Sequence, residues 1–262
     1  MERGVRSVPF FDDRFPVRTV YTDNSDWQRH EGWQHIEKRG AVFQECLGTP
    51  IHHVFHAYQV DSGNVLVLTE ESAAELAGMD KTQIPKRFGG YDAMVTAMPN
   101  IMLCICTADC LPLFLYDPVR EVAAIAHCGW RGICDGIVPN TVGKMAECFD
   151  TDPKHVVAAF GPCICGKCYE VGGELKEAFA RRFSTREVEE LFREGRREKF
   201  LLDLRKAVTM ELRRTGVASE RIHDTRICSY ERLDYPSCRR AGTHLDAHRQ
   251  TFSGIVLTQR ME

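Results

Sequence analysis

The sequence predicts an α/β or α+β fold, because strand-like and helix-like segments follow one another through the whole chain. Two further observations shape that expectation. Residues 101–106 (IMLCIC), 111–117 (LPLFLYD) and 122–127 (VAAIAH) are almost unbroken apolar runs, as strands covered on both faces are. No internal repeat, low-complexity tract or Gly/Ser linker divides the 262 residues, so 1–262 read as a single domain.

The elements follow in order. Residues 51–60 (IHHVFHAYQV) and 64–69 (NVLVLT) read as strands separated by the turn Asp61-Ser62-Gly63. EESAAELAG, 70–78, reads as a short helix ending at glycine. After the three apolar strands, Val138, Val142, Met145 and Phe149 fall at helical spacing over 136–149, and Asp152-Pro153 stops the run. A strand at 155–160 leads into the loop GPCICGKC. A helix over 172–183 carries Leu175, Phe179 and Phe183 on one stripe. Residues 186–199 mix both charge signs and suit a solvated helix face. The stretch 200–216 predicts a helix with Leu201, Leu204, Val208 and Leu212 on one side and Gly216 as its stop. SGIVLTQ reads as a final strand.

Composition excludes several classes. Hydrophobic residues at 44% and charged residues at 27% suit a globular chain, and a net charge of −3 leaves no footprint for nucleic acid or an anionic membrane. No segment approaches the ~20 apolar residues of a membrane span. The stretch MERGVRSVPFF lacks the apolar run of a signal peptide. A cytoplasmic protein with its twelve cysteines reduced is therefore expected, as a monomer or small homo-oligomer.

The chemistry concentrates in CICTADCLPLFLYD and AHCGWRG, where Cys110 and His127 stand 17 residues apart. That is too far for a metal site built on one local turn. A two-residue turn at Pro118-Val119 would pair Asp117 with Arg120 and hence Cys110 with His127, with Cβ atoms about 4.5–5.5 Å apart. Such a pair suits two ligands of one zinc, or a thiolate and an imidazole. A buried Cys and a satisfied His are the bland alternative. In GWRG, Gly129 and Gly132 permit close backbone approach. Arg131 offers a donor fork for phosphate or carboxylate, and a helix starting near 136 would add free N–H groups. Cys163, Cys165 and Cys168 invite a second metal site, but no matching CxxC occurs elsewhere, and they are read without one. Cys104 and Cys106 are read as core.

YDAMVT (91–96), TADCLP (107–112), AHCGWRG (126–132), GPCICGKCYEV (161–171) and ICSYERLDYPSCRRAG…HRQTFSGIVL run in one order over about residues 50–257. In these pieces the chain resembles the laccase-domain family, the multicopper polyphenol oxidase-like proteins described as zinc-dependent purine nucleoside phosphorylases. The resemblance implies mixed β-sheets packed as a sandwich with flanking helices. It implies a zinc on Cys110, His127 and a third His of a Gln-Val-His motif, where this chain has Gln59-Val60-Asp61. Aspartate also ligates zinc, at ~2.0–2.2 Å. His56 and His53 are expected about 16 and 26 Å from position 61 along an extended strand, with His56 on the opposite face.

The implied activity is phosphorolysis of adenosine, inosine, guanosine and methylthioadenosine, with adenosine deamination. Asp109 is then a candidate to orient a ligand or shuttle a proton, Arg131 to grip phosphate, and Arg240 and Arg249 to hold substrate. Two alternatives stay open: a metal-free hydrolase with Cys110 as nucleophile and His127 as base, or a purine-binding homologue disabled by Asp61. Copper is the weaker metal choice, since blue-copper sites need two histidines.

Overall fold

The structure is a computed structural model that describes residues 5–23, 43–78, 89–242 and 250–258. Its centre is a six-stranded sheet in the order β13 (Ile222–Asp224), β9 (Val157–Phe160), β7 (Leu111–Asp117), β8 (Val122–Cys128), β5 (Ala93–Thr96) and β4 (Val65–Leu68), numbered along the chain. A five-stranded sheet, β1 (Val5–Arg6), β2 (Val17–Thr22), β14 (Thr251–Leu257), β6 (Ile101–Thr107) and β3 (His53–His56), packs on one of its faces. Both sheets are mixed: β3–β6, β4–β5 and β9–β13 run parallel, and the remaining pairs run antiparallel. A small separate sheet of β10 (Glu170–Val171), β12 (Phe200–Leu202) and β11 (Phe192–Glu194) adds Val171, Phe192 and Leu202 to the core on the helical side. The expected α/β sandwich with flanking helices is what the chain forms.

Side-chain alternation explains why the central strands read as unbroken apolar runs. On β7, Leu111, Leu113 and Leu115 face the helices, while Phe114 and Tyr116 face the second sheet. On β8, Ala124, Ala126 and Cys128 join the helical side, and Ala123 and Ile125 the inter-sheet side. Both faces are covered, so both need apolar residues. The same holds for β6: Leu103 and Ile105 fill the inter-sheet layer, and Met102, Cys104 and Cys106 pack on Phe43 and Ile51 behind it. His127 continues the Ala123–Ile125 series, so its ring stands at the end of the inter-sheet layer.

Among the described residues the helices include α1 (Pro9–Asp12), α2 (Glu70–Gly78), α3 (Trp130–Cys134), α4 (Ile137–Phe149), α5 (Gly173–Ala180), α6 (Thr185–Leu191), α7 (Leu204–Thr215) and α8 (Cys238–Ala241). Helices α4 and α7 carry the largest apolar stripes onto the central sheet, through Val138, Val142 and Met145, and Val208 and Leu212. No helix among the described residues is long and apolar enough to cross a membrane.

Three expectations shift. The helix expected over 200–216 begins at Leu204, because the Asp203 side chain accepts the Lys206 N–H at 3.0 Å as an N-cap, and Phe200–Leu202 pair as a strand. The charged stretch 186–199 is helical only to Leu191, where β11 begins; its start is a capping box of Ser184 and Glu187. The strand expected over 51–60 ends at His56, and the chain then crosses from one sheet to the other.

The hairpin also departs from the expected register. Asp117 pairs with Val122, and Pro112, not Cys110, pairs with His127. The turn holds four residues because Asp117 Oδ1 accepts the N–H groups of Val119 (2.8 Å) and Arg120 (3.3 Å), and Glu121 then takes φ +53°. A shift by two positions keeps side-chain parity, so Cys110 remains on His127's face as a diagonal neighbour.

Candidate metal and active site

Three donors converge at the open end of this hairpin. A carboxylate oxygen of Asp61, the Cys110 sulfur and a ring nitrogen of His127 all lie within 4.8 Å of one another. They close over Gly129, where a Cβ would stand 3.0 Å from Asp61 Oδ1, 3.2 Å from Cys110 Sγ and 3.6 Å from His127 Cε1. Any side chain at 129 would push into the donors, which is a physical reason for glycine there.

Asp61 arrives from the crossing between β3 and β4. Gln59 clamps that crossing to the end of β6, its side chain donating to Cys106 O and accepting from Cys106 N, both at 2.8 Å. Asp61 itself has φ +61°, a left-handed conformation that turns its carboxylate toward Cys110 and His127.

The residue that organises the site is Asp92, which sequence reasoning passed over inside YDAMVT. Its carboxylate is fully buried. One oxygen accepts the N–H groups of Val60 (3.2 Å) and Ser62 (2.7 Å) and the Ser62 hydroxyl (2.8 Å). The other accepts Asp61 N–H at 3.1 Å and meets His127 Nδ1 at 2.9 Å. Burial raises the pKa of this carboxyl, but hydrogen bonds from His127, Ser62 and Val60 outweigh it and hold the group low. With Nδ1 engaged by Asp92, Nε2 is the nitrogen left to face a ligand. Burial pulls the His127 imidazole down, but the Cys110 sulfur and the Asp92 hydrogen bond push it up to about 10. The available signal was a lone acid at the head of the buried strand AMVT.

The other candidates fall in different places. Asp109, at φ +92°, turns away from the cleft: its oxygens accept the hydroxyls of Ser229 (2.6 Å) and Ser237 (3.0 Å) and the Arg239 N–H (2.7 Å). It ties the C-terminal segment to the residue before Cys110. Arg131 stands at the rim, its Nη1 3.7 Å from Asp61 Oδ2 and its guanidinium over the Trp130 ring. The Arg240 guanidinium is taken up by the carbonyls of Ser229, Tyr230, Arg232 and Tyr235. Arg249 lies outside the described residues.

The start of α4 is also occupied by protein. Asp135 accepts the Gly63 N–H at 2.6 Å and Asn140 donates to Gly63 O at 2.7 Å, so the 61–63 turn is packed on this helix end. His56 does reach the same cleft, because the strand ends there; its Nε2 lies 2.9 Å from Cys106 Sγ. The cleft encloses about 590 Å³, lined by Tyr58, Gly90, Thr107, Cys238 and Gln250 besides the donors. That is room for a small organic ligand.

The chain and its mixed-sheet sandwich are matched by known proteins. Residues 19–250 fit the family model described as multi-copper polyphenol oxidoreductase laccase, and the chain belongs to that family. Among its relatives, purine nucleoside phosphorylase SCO2081 of Streptomyces coelicolor is 36% identical over 70% of this chain and 73% of its own length. Adenosine deaminase RL5, from an unknown prokaryotic organism, is 32% identical over 80% and 77%. Purine nucleoside phosphorylase YlmD of Bacillus subtilis is 32% identical over 79% and 72%. The crystal structure of the hypothetical protein YfiH of Bacillus licheniformis superposes with a TM-score of 0.80 at 25% identity, covering 97% of each chain. YlmD of Geobacillus stearothermophilus, at 21% identity, shares the fold with a TM-score of 0.81 over 99% of this chain and 98% of its own.

Proposed function

We propose that this chain is a zinc-dependent purine nucleoside phosphorylase acting on adenosine, inosine, guanosine and methylthioadenosine, and that it also deaminates adenosine. The observation that carries the reading is the meeting of Asp61, Cys110 and His127 in one cleft, with His127 oriented by a buried carboxylate. A thiolate, an imidazole nitrogen and a carboxylate are a zinc donor set, and three protein ligands leave a position open. The names of the relatives supply the substrate class.

Zinc held by these three residues supplies Lewis acidity for polarising a substrate oxygen or a water. The chain's own groups do the rest. Asp92 holds the proton on His127 Nδ1 and aims the ring. Arg131, exposed beside the donors, grips the phosphate whose oxygen attacks ribose C1′ as the glycosidic C–N bond breaks and the purine base leaves. Asp109 acts as a positioning residue, bracing the segment that carries Cys110 against Ser229 and Ser237. Tyr58 and Gln250 line the volume in which the nucleoside sits.

Metal analysis of the purified protein, beside adenosine assays with and without phosphate, tests the reading. One zinc lost in Cys110→Ala and in His127→Ala, together with turnover, is the expected result. Activity that survives exhaustive chelation would favour Cys110 and His127 as a thiolate–imidazole pair. Nucleoside binding without turnover in the zinc-loaded protein would mean a binder in place of an enzyme.

A further inference from the structure

A second set of metal-ligating side chains lies away from the cleft. Cys165, Cys168, Cys228 and Glu231 bring three sulfurs and a carboxylate oxygen within 4.8 Å of one another. In sequence Cys165 and Cys168 had no matching pair. The fold supplies it from 63 residues downstream, where Cys228-Ser229-Tyr230-Glu231 repeats the ligand-x-x-ligand spacing of Cys165-Gly166-Lys167-Cys168.

The distances suit a tetrahedral ion. Two thiolates at ~2.3 Å from a tetrahedral centre stand about 3.8 Å apart, and a thiolate and a carboxylate oxygen about 3.6 Å apart. Cys165 Sγ and Cys168 Sγ are 3.6 Å apart, and Cys168 Sγ is 3.5 Å from Glu231 Oε1. The first pair is far from the ~2.05 Å of a disulfide.

The backbone is shaped for the same purpose. The Cys165 N–H points at Cys228 Sγ at 3.3 Å, and the N–H groups of Tyr230 and Glu231 point at it too. The Lys167 N–H turns toward the Cys165 sulfur. Each turn thus folds backbone N–H donors onto its leading sulfur. A parallel bridge between Cys163 and Cys228 holds the two turns in register: Cys163 donates to Ile227 O at 3.2 Å, and Ser229 donates to Cys163 O at 3.1 Å.

We propose that Cys165, Cys168, Cys228 and Glu231 form a second, structural zinc site that clamps the C-terminal segment to the loop after β9. Three thiolates select a soft divalent ion over Mg2+ or Ca2+. Cys228 is buried, Cys165 and Cys168 are half-buried and Glu231 is exposed, so the fourth ligand closes the site from the solvent side. The clamp also reaches the cleft: Ser229, next to Cys228, donates to Asp109, the neighbour of Cys110.

The test uses Cys110→Ala, in which the first site has lost its sulfur, so failure of this proposal and failure of the functional reading are separable. This variant is expected to retain one zinc per chain, with X-ray absorption showing three sulfur neighbours, and to give a thiolate-to-metal charge-transfer band when loaded with Co2+. Adding Cys165→Ser and Cys168→Ser should abolish both. As a check needing no folded variant, iodoacetamide on the wild-type protein should label Cys165, Cys168 and Cys228 together only after chelation. No zinc or cobalt bound by Cys110→Ala, no sulfur around the ion, or labelling of the three cysteines indifferent to zinc would each overturn the site.

Discussion

Replacing Asp92 by Asn changes almost no volume and removes one charge from the centre of the candidate site. The Asp92 carboxylate serves four N–H or O–H donors of residues 60–62, and His127. An amide offers one acceptor oxygen and one NH2, so one side of the network must meet a donor. Turning the NH2 toward Val60 and Ser62 would orphan three donors. Turning it toward His127 and Asp61 orphans Asp61 N–H and makes Nδ1 an acceptor. The imidazole proton then moves to Nε2, the nitrogen that would face the metal. Hydrogen bonds to a charged group contribute about 1.5–3 kcal/mol each, and two are lost or inverted, so the fold should lose roughly 3–6 kcal/mol. At about 2–4 °C per kcal/mol for a chain of this order of size, Tm should fall on the order of 10 °C. Loss of an orienting carboxylate typically weakens metal binding about 10–100-fold. Thermal melts and zinc competition against a chelator measure the two effects separately. A lower Tm with unchanged zinc affinity would refute the orienting role and leave Asp92 as a brace for the turn. An unchanged Tm would refute the buried network itself.

Asp61→His removes the second anionic ligand, which should make the ion a better Lewis acid and raise both zinc occupancy and adenosine turnover near neutral pH; no gain in either would mean that Asp61 is not the third ligand. Arg131→Ala should raise the phosphate KM of phosphorolysis severalfold and leave water-dependent deamination nearly unchanged, whereas equal losses in both would assign the arginine to packing on Trp130. Glu187 has its carboxyl held down to about 2 by the Ser184 hydroxyl and N–H, with Arg214 adding to them. A depressed carboxylate contributes stability above its unfolded pKa and loses it as pH falls through the folded value. The Tm deficit of Glu187→Gln at pH 7 should therefore shrink between about pH 4.5 and pH 2, and a deficit independent of pH would place its origin in the helix cap geometry alone.

Local patterns were legible wherever a single segment carries its own signal. The runs 101–106, 111–117 and 122–127 became β6, β7 and β8, because strands buried on both faces cannot hide their composition. Glu70–Gly78 and Ile137–Phe149 became helices where their apolar spacing and stops put them. Period-two alternation also put Cys110 and His127 on one face, and this survived a wrong turn length because the register moved by two positions. The identity of the candidate donors, and the departure of Asp61 from Gln-Val-His, stood in the sequence as residue types.

Other features depended on segments that meet only in the folded chain. Asp92 looks like any acid before a strand until residues 60–62 turn back onto it, 30 residues away in sequence and in direct hydrogen bond. Asp109 and Arg240 have the chemistry of catalytic groups, but the C-terminal segment claims them: Ser229, Ser237 and Arg239 take the carboxylate, and four carbonyls take the guanidinium. Cys165 and Cys168 seemed half of a metal site with no other half, and Cys228 and Glu231 complete it across a backbone bridge. The reason is the same in each case. Periodicity and turn chemistry act over a few residues and are written into them, whereas a hydrogen-bond partner or a ligand set is a property of positions in space, decided by which sheet edge each crossing segment reaches.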